Sequence, residues 1–68
     1  MAGKVYKKIR VVGCSEKNFE DAVSAAVKTA SKTLKGLSWF EVVEFRGAIK
    51  NGKVQEFQVT VDLAFKLE

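Results

Sequence analysis

The sequence contains no histidine, no proline and a single cysteine, Cys14. One cysteine excludes an intrachain disulfide, and without histidine or a second cysteine the chain lacks a soft-ligand set for zinc. A chain of 68 residues buries only about 60% of its unfolded surface, so its own core is marginal. With disulfides and zinc excluded, self-association remains as the means of stabilising so small a domain.

Several function classes are disfavoured by further absences. No apolar run approaches the roughly 20 residues that cross a bilayer, and no apolar segment follows the basic start of the chain as a secretory signal requires. Together with the free cysteine, this predicts a cytoplasmic protein that does not act at a membrane. The sequence has no phosphate loop, dinucleotide fingerprint or catalytic triad, so we expect a protein that is not an enzyme.

The charge balance is mild. Twelve basic and eight acidic residues give a net charge of +4. A basic chain with exposed aromatics on a sheet is one description of an RNA-binding surface. Here the basic residues are spread over every predicted element and the second helix of that fold is missing, so we expect no nucleic-acid partner.

Residues 1–68 form one predicted domain with four elements. β-branched residues predict a strand over 4–12, ended by Gly13. Ser15 is the expected N-cap of a helix that ends before Gly36. Two further strands, 38–49 and 53–67, are joined by Asn51-Gly52, the strongest short signal for a hairpin. The apolar positions of the helix recur on one stripe: Phe19, Ala22, Val23, Ala26, Val27, Ala30 and Leu34.

These elements predict an α+β fold with the order β-α-β-β. The third strand alternates apolar and polar residues without a break, which favours the middle of a three-stranded antiparallel sheet of order 2-3-1. The helix then covers the apolar face and leaves the other face open. If Lys50 pairs with Lys53, directly opposed residues share a face. The opposed pairs are Phe45 with Gln58, Val43 with Thr60, Glu41 with Asp62, and Trp39 with Ala64.

This register places a tryptophan on a face that one chain cannot bury. Trp39 is either a stacking platform for an aromatic ligand or an anchor of a subunit interface. Gln58 suits the donor and acceptor edge of a heterocycle, or is an ordinary solvated residue. Trp39 and Gln58 are separated by about six residues along the hairpin, roughly 20 Å, so one ligand can contact both only if two subunits contribute.

Other polar residues are weaker candidates. Arg46 could pair with a phosphate or cap an aromatic ring, or could be a surface arginine paired with Glu44 or Glu56. Glu41 and Asp62 face each other without a nucleophile or a metal-ligand set, which favours paired surface acids bridged by Lys66 or by another subunit. Cys14 has no histidine as a base, and we interpret it as an apolar filler.

Several blocks of the sequence together resemble a bacterial dodecin, and the resemblance covers nearly the whole chain. The most specific blocks are Trp39-Phe40-Glu41-Val42, Arg46-Gly47 and Phe57-Gln58-Val59. Weaker matches are the Lys-Val-Tyr-Lys run at 4–7, the Val-Gly-x-Ser-Glu run at 12–16 and the Phe-Lys-Leu-Glu run at 65–68. The family's fold is the β-α-β-β order.

The resemblance implies a function in flavin storage. It implies a hollow shell of twelve identical subunits that binds FMN, riboflavin or lumichrome near two-fold axes, with two ring systems stacked between a symmetry-related pair of tryptophans. Trp39 matches that tryptophan, Gln58 matches the glutamine that hydrogen-bonds the ring, and Arg46 matches an arginine near the flavin. Ser38 stands where many members have an aspartate close to the flavin, which puts ligand choice in question, and Cys14 replaces a threonine.

Some bacterial members also bind coenzyme A, and this resemblance leaves a second reading open. The positions that match its contacts are Lys4, Tyr6, Thr33, Lys35 and Lys66. A basic cluster suits the phosphates of coenzyme A, while solvated lysines explain the same residues without a ligand. The alternative to flavin storage is therefore a coenzyme A-binding or structural homo-oligomer in which Trp39 is an interface anchor.

Overall fold

The computed structural model describes residues 3–67, which form one sheet and one helix. The elements are β1 (Tyr6–Ser15), α1 (Phe19–Ala30), β2 (Leu37–Lys50) and β3 (Lys53–Lys66). The sheet order is β1-β3-β2, and both pairs are antiparallel. The predicted β-α-β-β fold is confirmed. Glu68, the last residue of the C-terminal block that resembles dodecin, lies outside the described residues.

β1 continues two residues beyond Gly13, so the prediction that this glycine ends the strand is wrong. Gly13 lies opposite Val59, and the ladder runs on to Ser15 opposite Phe57. The glycine serves a close approach instead, because a Cβ at this position would collide with the backbone carbonyl of Ala22 in the helix. Gly13 therefore lets α1 lie directly on the sheet.

The helix begins later and ends earlier than predicted. Asn18, not Ser15, is the N-cap, and its side chain accepts from the backbone N–H of Asp21 at 2.7 Å. Ser15 belongs to β1, and its hydroxyl donates to the Asp21 carboxylate at 2.7 Å. The helix ends at Ala30, and Gly36, with φ +76°, forms a turn into β2 rather than a helix cap.

The hairpin between β2 and β3 has the predicted turn, two bulges and, at the start of β2, a third irregularity in register. The sequence pattern predicted none of these three irregularities. Asn51 and Gly52 both have positive φ, as a type I′ turn requires, and Lys50 pairs with Lys53. The two bulges lie between Ala48 and Ile49 and between Val42 and Glu44, and the third irregularity lies between Leu37 and Trp39. Each bulge shifts the register by one residue, and the second shift cancels the first.

Between the bulges the predicted faces are exchanged. Arg46, not Phe45, lies opposite Gln58. Phe45 is therefore on the helix side, where its ring meets Phe19 edge-on with centroids 5.2 Å apart. Val43 is the extra residue of the second bulge, so its predicted pairing with Thr60 is also wrong. Beyond that bulge the predicted register is confirmed, with Glu41 opposite Asp62 and Trp39 opposite Ala64.

The core is small and lies between α1 and the middle strand. The helix packs on β1 and β3. The core cluster consists of Ala22, Ala26, Val59, Val61 and Leu63. No residue of β2 is buried. The sheet face opposite α1, called the open face below, is not covered by any described element.

Candidate functional site

The first part of the open face is an aromatic pair at the start of β2. The Trp39 side chain is 44% exposed and its ring lies 4.8 Å from that of Tyr6, tilted by 57°. The indole Nε1 donates to a carboxylate oxygen of Glu41 at 2.9 Å. Two contacts thus fix the plane of the indole and leave part of its surface free for an aromatic partner.

The middle of the open face carries two ion pairs. The guanidinium of Arg10 donates to both carboxylate oxygens of Asp62, at 2.7 and 3.1 Å. The ammonium of Lys8 lies 3.2 Å from both oxygens of Glu41 and 3.8 Å from Asp62. The two acids therefore face each other as predicted, but Lys8 bridges them rather than Lys66, and Arg10 pairs with Asp62 alone.

These contacts hold both acids in their charged forms. The hydrogen bond from Trp39, followed by that from Lys8, lowers the pKa of the Glu41 carboxyl. The hydrogen bond from Arg10 lowers the pKa of the Asp62 carboxyl, against the opposing effect of burial. Residues 3–67 contain no group of three or more acidic, cysteine or histidine side chains placed to hold a metal ion.

The third part of the open face is a polar chain centred on Gln58. Arg46 Nε donates to the side-chain oxygen of Gln58 at 2.8 Å. The side-chain nitrogen of Gln58 donates to Glu56 at 2.7 Å. Cys14 is exposed and lies opposite Gln58 on β1. Arg46 thus binds Gln58, and among residues 3–67 it forms neither of the predicted ion pairs with Glu44 or Glu56.

The aromatic pair and the polar chain lie on the same face but far apart. Their β3 register positions, Ala64 and Gln58, differ by six residues, which at about 3.3 Å per residue is roughly 20 Å. The separation agrees with the sequence prediction even though the register between the bulges does not. A flat ligand that contacts both Trp39 and Gln58 must therefore lie between two subunits.

Ser38 flanks the tryptophan at the start of β2. Its hydroxyl donates to the backbone carbonyl of Gly36 at 3.0 Å, and the side chain is exposed. A cleft of about 160 Å³ adjoins it. Ser38 thus lies next to the candidate stacking surface, but its hydroxyl already donates a hydrogen bond to the preceding segment.

Four of the five coenzyme A candidates lie at the strand ends around Tyr6, which packs on Trp39. Tyr6 packs on the indole and pairs with Lys66 in the ladder. Lys35 precedes Gly36, whose carbonyl accepts the backbone N–H of Lys66. Lys4 precedes Val5, whose carbonyl accepts the N–H of Leu67. The fifth, Thr33, lies in the turn after α1, where its N–H donates to Ala30.

Two contacts of the candidate site, Tyr6 with Trp39 and Glu56 with Gln58, were not predicted from the sequence. Tyr6 lies beside Trp39 because β1 pairs with β3 in a register that no turn signal specifies. Glu56 is two residues before Gln58, so strand alternation alone puts it on the same face. That signal was available in the sequence but pointed to no particular contact.

Comparison with known proteins identifies close relatives. The family model described as Dodecin matches residues 5–68. A dodecin of Thermus thermophilus is 52% identical over 66 residues, which cover 97% of this chain and 96% of the relative. The solved dodecin of Streptomyces coelicolor is 44% identical, with a TM-score of 0.94 over 100% of this chain and 97% of that one.

A more distant solved relative has the same fold. It is the calcium dodecin of Mycobacterium tuberculosis, which is described as a calcium-chelating antigen with a calcium-binding site. Its sequence is 28% identical, with a TM-score of 0.82 over 94% of this chain and 91% of that one.

Among residues 3–67 there is no helix long and apolar enough to cross a membrane.

Proposed function

Because this chain belongs to the dodecin family, we propose that it stores and sequesters a flavin, FMN or riboflavin, between subunits of a hollow homododecamer. Members of the family are small oligomeric proteins. Storage requires binding and release rather than turnover, which agrees with a sequence that has no catalytic constellation.

The observation that carries the proposal is the partly exposed, oriented indole of Trp39. An aromatic ring held at its edge by Glu41 and Tyr6 loses little further freedom when a flat ring system stacks on it. Stacked aromatic pairs gain about 0.5–1.5 kcal/mol beyond the burial of area. The roughly 20 Å between Trp39 and Gln58 adds the requirement for a second subunit.

The polar chain fits the polar edge of a flavin. Gln58 uses one lone pair of its oxygen for Arg46 and one proton of its nitrogen for Glu56. One acceptor and one donor therefore remain for a heterocycle. The other nitrogens of the Arg46 guanidinium are suited to the phosphate of FMN, since a guanidinium pairs well with phosphate oxygens.

Photochemical protection follows from the stacked tryptophan. A bound flavin supplies a visible chromophore whose excited state is a strong oxidant. Trp39 is an electron-rich indole, and in contact with that chromophore it would donate an electron and quench the excited state. The lowered pKa of the Glu41 carboxyl keeps a negative charge at the indole N–H, which favours electron loss from the ring.

The alternative function is a coenzyme A-binding or structural oligomer in which Trp39 anchors an interface. It is favoured by the packing of Tyr6 on Trp39 and by the lysines of the same region, Lys4, Lys35 and Lys66. These two functions predict different spectra, because coenzyme A has no visible absorption.

Riboflavin titration across a size-exclusion peak tests the proposal. We expect a particle many times the mass of the 7.5 kDa chain, a flavin absorption band that co-elutes with it, and loss of flavin fluorescence on binding. An oligomer that leaves riboflavin free but retains coenzyme A supports the alternative. A monomer at micromolar concentration contradicts both functions.

A further inference from the structure

Glu56 holds the side-chain amide of Gln58, the residue proposed to bind the flavin, in one orientation. Arg46 Nε lies 2.8 Å from the Gln58 oxygen, and the Glu56 carboxylate lies 2.7 Å from the Gln58 nitrogen. A guanidinium only donates hydrogen bonds, and a carboxylate that forms this contact accepts one. Rotating the amide by half a turn would place donor against donor and acceptor against acceptor.

From this contact set we infer that Glu56 is a positioning residue that makes Gln58 selective for a ligand edge with an N–H beside a carbonyl. The inference rests on the proposed flavin function and deepens it. With its orientation fixed, Gln58 offers a free lone pair on its oxygen and a free proton on its nitrogen. A cis-amide or imide edge, such as that of a flavin pyrimidine ring, complements this pair.

The backbone supports the arrangement on both sides of Gln58. Glu56 and Gln58 are two residues apart on β3 and share the open face, while Arg46 lies directly opposite Gln58 on β2. Gly47 pairs with Phe57 between them, and a Cβ at Gly47 would lie 2.7 Å from the backbone oxygen of Glu56. The close strand contact that the glycine permits keeps Glu56 and Arg46 on either side of the same amide.

Ligand discrimination is the measurement that separates positioning from a general structural role. The probes are riboflavin and its N3-methyl derivative, which lacks the N–H of the pyrimidine edge. Neither carries a phosphate, so changing the charge at Glu56 acts on no ligand charge. We expect the parent oligomer to prefer riboflavin, because the fixed Gln58 oxygen has no proton to accept from the methylated ligand.

The decisive variant is Glu56→Ala. Its Gln58 amide loses one of the two contacts that fix its orientation and is held by Arg46 alone. Riboflavin affinity should therefore fall by up to about tenfold, the equivalent of one hydrogen bond, and the preference over the methylated ligand should narrow. Glu56→Gln keeps an acceptor for Gln58 and should restore the preference. Glu44→Ala removes the same charge from the same face, at a residue with no hydrogen bond or ion pair among residues 3–67, and should match the parent.

Two results would overturn the inference, and they are distinct from failure of the flavin function. A Glu56→Ala oligomer that keeps the parent's preference shows that Glu56 does not set the amide. If the parent binds no riboflavin, the flavin function fails and hydrogen exchange of the Gln58 side-chain protons in the free protein decides the inference. One of those protons should be protected in the parent and unprotected in Glu56→Ala, and equal exchange in the two proteins contradicts the positioning role.

Discussion

The two strands of the hairpin differ sharply in what surrounds them. β3 is the middle strand, and Val59, Val61 and Leu63 on its helix side are at most 1% exposed. β2 pairs with β3 along its length, yet no residue of β2 is buried. Its exposed apolar residues include Phe40, Val42 and Phe45. Leu63 and Phe40 are direct ladder partners, so the contrast exists between two neighbouring side chains on one face.

The difference separates what holds the subunit together from what is left for association. α1 is 12 residues long and packs chiefly on β1 and β3, while its contact with β2 is the ring of Phe19 against Phe45. Apolar side chains that the subunit cannot bury remain available to other subunits of an oligomeric protein. Substitutions in β3 should therefore change the stability of the subunit, and substitutions in β2 should change assembly or ligand binding.

The largest expected effect is that of Leu63→Ala. Leu63 is buried against the helix, and removing a buried leucine side chain costs about 2–5 kcal/mol of unfolding free energy. We expect a loss of this size in chemical denaturation, with the same value at low and high protein concentration. The exposed partner, Phe40→Ala, should instead produce a loss that grows on dilution, because it weakens association.

The different roles assigned to Leu63 and Phe40 can be tested directly. Size-exclusion chromatography at several concentrations should show Phe40→Ala dissociating where the parent remains assembled. If Phe40→Ala lowers stability independently of concentration and leaves the particle intact, Phe40 belongs to the core of the subunit. The division between the two strands would then be wrong.

Trp39→Ala should have an intermediate effect that is confined to the ligand. Loss of the stacking surface should weaken riboflavin binding at least several-fold, given about 0.5–1.5 kcal/mol for an aromatic pair. Flavin that still binds should regain fluorescence, because the electron donor is gone. Equilibrium titration and fluorescence of the bound fraction measure the two effects separately.

Trp39→Phe is the matched variant. It keeps an aromatic face but removes the indole donor and its hydrogen bond to Glu41, so affinity should be closer to the parent while quenching is reduced. A particle that falls apart in Trp39→Ala, whatever ligand is present, favours the interface-anchor alternative. An intact particle that binds and quenches like the parent rejects the proposed role of Trp39.

Local sequence chemistry predicted the architecture and the ends of the candidate site. The apolar stripe of the helix, the Asn51-Gly52 turn and the alternation of β3 were enough for the element order and the sheet order. The register singled out Trp39 and Gln58, and the resemblance to dodecins gave them roles. The faces of residues 43–47 could not be predicted, because paired bulges depend on packing between strands and have no signal in one strand's alternation. Phe45 is on the helix side because Phe19 offers it a partner there.

The helix ends show a related limit. Ser15 and Asn18 are both good caps by residue type, and the choice between them depends on how far β1 continues along β3. That depends on Gly13, which looks like a strand terminator in the sequence but permits the helix to lie on the strand. Ion-pair partners were equally beyond prediction, since the register of β1 decides that Lys8 and Arg10 contact the acids.

The smallest expected effect is the loss of folding stability at acidic pH. It compares the contribution of the ion pairs of the open face with that of the apolar core. The carboxyls of Glu41 and Asp62 have pKa values lowered from the ordinary 4.5 and 3.8. A carboxyl whose pKa is lower in the folded state contributes stability above its unfolded value, and loses that contribution as the pH falls through its folded value. The free energy of unfolding found at neutral pH should therefore persist as the pH falls to the ordinary pKa range of carboxyls, and should decrease below that range.

Asp62→Asn tests whether the Arg10 pair causes part of this decrease. The variant cannot lose a charge at this position, so it should be less stable than the parent at neutral pH and should decline less on acidification. The two curves should converge below the ordinary pKa range of an aspartate. Denaturation midpoints over a pH series measure the convergence. Glu44→Gln, at an acid of the same face with no ion pair within residues 3–67, should run parallel to the parent. Parallel curves for Asp62→Asn and the parent would show that the pair adds nothing to folding, and that the open face depends on β3 and the helix for its stability.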